Sequence, residues 1–322
     1  MKIGIAKVDI TPPVGSPLAG YSNRTSFSTG VHDELYARAL VLDNGTTRAA
    51  LVSCDLIGVL GETTDAVRER GINAGIPGEN IMVCAYHTHS GPTPDLGYGE
   101  MGEYMKSLSD GISSAVMNAS LGIEEVRFKH ASARAEGFTV NRRDPKNGPI
   151  DSELITLSWE SGASARGFLV NFSCHAVVLG PDNTLISADY PGYLMSRMED
   201  CGATCLFTNG ACGDINPLTD SLRNRMFRGE DIYDRRGGTF EEAEALGTSL
   251  SRLAIESLGT SEPLNNDRLV VATKTFDAPF HPMVPMDALE VRIEELQTML
   301  AAMQDGCSTP DELYRTGLEL EF

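Results

Sequence analysis

Asn80-Ile81-Met82-Val83-Cys84-Ala85-Tyr86 runs directly into His87-Thr88-His89-Ser90-Gly91-Pro92-Thr93. The first half is a short apolar run, which is how a buried strand reads. Ser90-Gly91-Pro92 then forces a turn. Between the two lie a pair of the chain's 6 histidines, one residue apart. Positions i and i+2 of a strand share a face, so His87 and His89 can look into one pocket. Neutral imidazole is the commonest metal ligand, and zinc accepts two or three of them. Taken alone, the pair also reads as two hydrogen-bonded histidines closing a strand.

A second run has the same form. Phe168-Leu169-Val170-Asn171-Phe172-Ser173-Cys174 is apolar and ends on His175. Parallel neighbours in an α/β sheet bring their carboxyl ends to one edge, where α/β sites are built. The sequence therefore predicts that His87, His89 and His175 meet there. A third run, Phe207-Thr208-Asn209-Gly210-Ala211-Cys212-Gly213-Asp214-Ile215-Asn216-Pro217, passes into a small-residue turn. Asp214 and Asn216 can orient a water or hold an oxyanion, although a plain Gly/Asn/Pro turn accounts for the stretch equally well. Arg142 and Arg143, within Val140-Asn141-Arg142-Arg143-Asp144, can bind a carboxylate or pair on the surface. Asp55 and Asp189 are further carboxylates beside strand ends, and His32 follows a glycine loop. His130 and His281 read as surface or structural residues.

Around these motifs, strands and helices interleave. Strands are expected over 2–10, 35–42, 49–54, 80–86, 125–136, 153–159, 166–173, 203–207 and 268–276. Asn44-Gly45 marks a hairpin. Helices are expected over 62–74, 100–120, 191–201, 240–258 and 285–303, and 219–238 reads as a polar stretch. The fold class is α/β, with mixed β-sheets flanked by helices. Residues 263–267 are the candidate boundary, giving a domain over 1–262 and a strand–helix extension over 263–322 that belongs to it.

The 322 residues carry a net charge of −19 and a pI of about 4.7. That balance argues against a nucleic-acid partner, which needs a basic patch. No apolar run approaches the roughly 20 residues of a membrane span. The N-terminus reads as a strand and not as a signal peptide. Seven cysteines, several in apolar strand runs and none in a CxxC pair, suit reduced thiols. The expected location is the cytoplasm.

In this order the motifs resemble the N-terminal catalytic domain of the neutral (non-lysosomal, alkaline) ceramidase family. Ala6 to Pro13 is similar to its first strand, and Gly30-Val31-His32 through Ala37-Arg38-Ala39 to its "G-I-H…A-R-A" segment. His87-Thr88-His89-Ser90-Gly91-Pro92 resembles its most recognisable signature. Val140-Asn141-Arg142, Asn171 to His175, Ser187 to Tyr193 and Gly213-Asp214-Ile215-Asn216-Pro217 follow in the family's order. The likeness covers roughly residues 1–280.

The resemblance implies a zinc-dependent amidohydrolase with a neutral-ceramidase-like fold. It places zinc on His87 and His175, sets His89 beside the metal, and gives Arg142 a contact in the site. The implied partner is a small-molecule amide or ester, with a lipid-like substrate among the options. Two departures stand out. Where the family pattern "G-D-V-S-P-N" has a serine, this chain has Asn216, which carries no hydroxyl and puts ceramide itself in question as substrate. The family's remaining ligands, a Glu and a Tyr, come from segments with no counterpart here, so an incomplete, truncated or non-catalytic member is the alternative, as is Asp55 standing in as ligand. A metal-free sugar or polyol enzyme using Asp55, Asp189 and Arg142 is the third reading. A sheet lacking strands would expose an edge, which makes a homo-oligomer an option.

Overall fold

The computed structural model describes residues 1–22, 24–92, 101–162, 164–229, 238–264, 267–279 and 285–304. In chain order its strands are β1 (Lys2–Asp9), β2 (Gly30–Val31), β3 (Tyr36–Asp43), β4 (Arg48–Cys54), β5 (Ile81–Ala85), β6 (Glu124–Glu125), β7 (Arg127–Arg134) and β8 (Thr139–Asn141), then β9 (Glu153–Ser161), β10 (Ser164–Phe172), β11 (Leu185–Ile186), β12 (Thr204–Asn209), β13 (Ile215–Pro217) and β14 (Glu262–Leu264). The α-helices are α1 (Gly61–Gly71), α2 (Met101–Leu121), α3 (Asp189–Glu199), α4 (Asp220–Phe227), α5 (Phe240–Leu258) and α6 (Met286–Gln304). Chain contacts divide it into two units, Met1–Ala272 and Thr273–Phe322, and α6 belongs to the second.

The first unit holds two mixed five-stranded sheets, ordered β5-β4-β3-β1-β6 and β12-β10-β9-β7-β14. Side-chain alternation explains how they stack. On β1 and β3, Ile3 and Leu40 point to one side, where they join Trp159 and Leu206 of the second sheet in a small core. Ala39 and Val41, one position along, point to the other side and pack with Leu108, Ile112 and Val116 of α2. On the second sheet, Cys205 and Phe207 flank Leu206 and turn outward to Leu194, Met195 and Leu250 of α3 and α5. The order of layers is therefore helix, sheet, sheet, helix. Gly4 shows how closely the outer layer sits, because a Cβ there would lie 1.8 Å from the Ala119 carbonyl oxygen.

Most expected elements form. β3 and β4 close on Asn44-Gly45, with Gly45 at φ 89°. α5 starts on a capping box in which Thr239 and Glu242 satisfy each other's backbone N–H groups. Three expectations need correction. His87 and His175 do not end neighbouring strands of one sheet: β5 pairs in parallel with β4, and β10 with β12. The polar stretch contains α4, whose start is set by the Thr219 hydroxyl accepting from Leu222 N and not by an apolar face. Residues 268–276 form no strand. Val270 and Phe276 stay exposed there, and β-branched residues favour strands only where a pleated surface can bury them. His281 lies outside the described residues. Among those described, no helix is long and apolar enough to cross a membrane, and the six described cysteines form no disulfide.

Candidate metal centre

β5 and β12 carry their carboxyl ends to the same end of the two sheets, and loops from both converge there. Asn209, which ends β12, donates from Nδ2 to the Tyr86 and Cys174 carbonyls at 2.9 and 3.0 Å. Thr88 bridges Ala176 in parallel, and His89 N donates to Ala176 O at 3.2 Å. His175 N donates in turn to Ile215 O at 2.9 Å. The short ribbon of β13 and β8, with Asn216 opposite Val140, continues this hydrogen-bonded platform. His87, His89 and His175 therefore stand on one connected backbone.

Their rings form a triangle. Centroids lie 4.9 Å apart for His87–His89, 4.8 Å for His87–His175 and 5.5 Å for His89–His175. One ring nitrogen from each lies within 4.8 Å of the others. His87 Nδ1 donates to Ile57 O at 2.7 Å, and His175 Nδ1 donates to Cys212 O, also at 2.7 Å. A carbonyl can only accept, so both Nδ1 atoms carry a proton, and it is Nε2 that offers the lone pair when the ring is neutral. Histidines that ligate metals are fixed in this way. Burial pushes the His175 pKa down, against the pull of its Cys212 hydrogen bond and the Asp214 charge, which favours the neutral, ligating form. His87 also sits at φ 75°, a strained backbone for a non-glycine residue and a recurrent mark of functional sites.

The surrounding residues are shaped to this triangle. Gly20 has φ +100°, and a Cβ there would lie 2.3 Å from His89 Nδ1. The Tyr21 ring meets His89 edge-on at 4.9 Å. Arg24 donates to the His89 carbonyl at 2.7 Å and the Ala19 carbonyl at 2.9 Å, tying the loop to the site. None of Gly20, Arg24 and Asn209 is singled out by sequence reasoning. The one available signal is Gly20 beside an aromatic in a Pro/Gly-rich loop.

Arg142 and Asn216 belong to the same backbone platform as the triangle. Arg142 N donates to Asp214 O at 2.7 Å. Arg142 Nε and Asn216 Oδ1 are both buried and have no partner, and Asn216 is only 2% exposed. Asn141 turns the other way, toward 143–149: its Oδ1 accepts from Arg143 N and its Nδ2 donates to Pro149 O. The Asp214 carboxylate is half-exposed and paired with Arg143 Nε at 2.9 Å.

Asp55, Asp189 and His32 do other work. Asp55 is spent on Arg38, whose Nη1 donates to both its oxygens at 2.6 Å, and on Tyr36 N at 2.9 Å. Asp189, whose pKa burial raises to about 6, takes N–H groups from Leu179, Tyr190 and Val178. Neither carboxylate is left for a ligand or a sugar hydroxyl, because both are fully buried and satisfied. His32 stacks on Phe240 at 3.8 Å and bonds Asp33, and it does not join the triangle.

Residues 1–217 match the family described as neutral/alkaline non-lysosomal ceramidase, N-terminal. The chain belongs to this family. It is 25% identical over 249 residues to the neutral ceramidase of Pseudomonas aeruginosa, a match covering 67% of this chain and 37% of that protein. Against the neutral ceramidase of Drosophila melanogaster it is 24% identical over 341 residues, covering 88% of this chain and 47% of the relative. The crystal structure of the Pseudomonas aeruginosa neutral ceramidase superposes with a TM-score of 0.69 at 23% identity, over 80% of this chain and 45% of that one. The ceramidase-like, two-sheet fold is thereby established, and the chain spans less than half the length of these relatives.

Proposed function

We propose that this ceramidase-family chain forms a zinc-dependent hydrolytic centre that cleaves an amide or ester bond in a small, lipid-like substrate. The observation that carries the reading is the triangle of His87, His89 and His175, two of them locked in the tautomer that offers Nε2. His87 and His175 would hold the ion, with the His89 ring nitrogen beside them. A zinc ion there supplies Lewis acidity to a carbonyl and to water at neutral pH.

The chain's own residues do the rest. Arg142 Nε is a buried donor suited to the carbonyl oxygen as negative charge develops on it. Asn216 Oδ1 is a buried acceptor for a substrate N–H or O–H. His89 can hold the attacking water or pass its proton to the leaving group. Asn216 carries no hydroxyl, so it can neither attack as a nucleophile nor relay a proton as a serine can. This favours a substrate other than ceramide, with a different polar group at that point.

The test is turnover of matched N-acyl amino alcohols and their O-acyl esters. We expect at least one series to be hydrolysed, the activity to disappear with a chelator and to return with zinc. The H87A/H175A double variant should be slower by roughly 100-fold or more. Hydrolysis that persists unchanged in the chelator would refute the reading.

A further inference from the structure

The two histidines best placed to hold the ion hang from different sheets, so something must hold those sheets in register at the site. We propose that Asn209 is that positioning residue and that its amide sets the zinc affinity of the His87–His175 pair. The inference rests on the zinc reading above.

Tyr86 precedes His87, and Cys174 precedes His175. The Asn209 amide donates to both carbonyls, at 2.9 and 3.0 Å, and its Oδ1 accepts from Cys174 N at 3.1 Å. The partners fix the orientation: a flipped amide would set Oδ1 against two carbonyl oxygens and Nδ2 against an N–H. One side chain thus spans from β12 of the second sheet to the end of β5 in the first, and reaches both ligand-bearing backbones one residue upstream of the ligands. The next residue packs tightly against β10's end: Gly210 N donates to Phe172 O at 3.2 Å, and a Cβ on Gly210 would lie 2.1 Å from Ser173 Oγ. A shift of either carbonyl moves one imidazole relative to the other, and ligand spacing governs metal affinity far more steeply than it governs fold stability.

Asn171 supplies the control. It is also half-buried and sits on the same pair of strands, but its Nδ2 bonds only within the second sheet, to Thr208 O at 3.2 Å and Thr208 Oγ1 at 3.0 Å. The experiment compares N209D, N209S and N171D with the parent. N209D replaces two donations by oxygen–oxygen repulsion, and N209S keeps one small donor should N209D fail to fold. Readouts are the zinc Kd by competition with a chromophoric chelator, the visible band of the cobalt(II)-substituted protein, and Tm without metal. We expect both Asn209 variants to bind zinc about 10- to 100-fold more weakly with an altered cobalt spectrum. N171D should lose Tm but keep the parent's Kd and spectrum. Parent-like zinc binding in the Asn209 variants would overturn the inference, and so would equal weakening in N171D, which would signal general loosening of β10 and β12. A parent chain that binds no zinc would defeat the zinc reading and this inference together.

Discussion

Replacing Arg38 by Met is expected to destabilise the first unit by about 3–5 kcal/mol, the cost of leaving a buried charge without its partner. The Arg38 and Asp55 side chains are 6% and 1% exposed. Burial pushes the Asp55 carboxyl up, and the guanidinium is the main force holding it ionised. Without Arg38 the acid must either take a proton or stay charged in a dry site. Its folded pKa then lies above the unfolded value of about 3.9. The penalty accordingly grows as pH rises from about 4 toward the raised folded pKa, and shrinks again as pH falls back toward about 4. Denaturant titration at several pH values measures this, and an R38M/D55L double variant should recover much of the loss. A loss below about 1 kcal/mol at pH 7 would mean that the pair is screened as surface pairs are. The pair also holds the 54–57 segment, whose Leu56 and Ile57 carbonyls accept from His87 N and Nδ1. R38M should therefore disturb the histidine triangle as well as the fold.

Gly20→Ala is expected to disable the site while the fold survives. The new methyl group would lie 2.3 and 2.4 Å from His89 Nδ1 and Cγ, so the ring must leave the triangle. Part of the cost is backbone strain, because φ at Gly20 is +100°, and such strain is worth about 1–3 kcal/mol. Gly15 separates the two effects. It has a similar φ of +96°, but a methyl group added there would meet nothing within 4 Å. G15A should lose stability alone, and G20A should lose stability together with hydrolysis. Comparable activity in the two variants would show that the position of His89 is unimportant to the chemistry.

The sequence is most readable where local pattern and tertiary role coincide. β3 and β4 read as near-continuous apolar runs because each is covered by a helix on one side and another sheet on the other. α5 is bounded as its caps predict. His87 and His175 are legible because each ends an apolar run, and a run that stops on imidazole is uncommon in a chain with 6 histidines. Sequence does not report which strands share a sheet. Nothing local separates one large sheet from two stacked ones, so the two histidines read as neighbours in a single sheet when they meet across two. Asn209 is hidden for a related reason. Asparagine after a strand normally signals a turn, and its bonds to residues 35 and 123 positions away leave no trace in the neighbouring sequence. Asp55 misleads because a carboxylate at a strand end looks the same whether it meets a substrate or a buried arginine 17 residues earlier. α4 escapes a reading by periodicity because it has no apolar stripe, only a cap.

The central claim is that the three-histidine triangle holds a metal. The most direct test is elemental analysis of tag-free protein after exhaustive dialysis, beside the H87A/H175A variant. About one zinc per chain in the parent, and none in a variant that keeps its circular dichroism spectrum, is the predicted result. A folded parent that carries no zinc and takes up none when it is added, or a variant that retains it, would contradict the account.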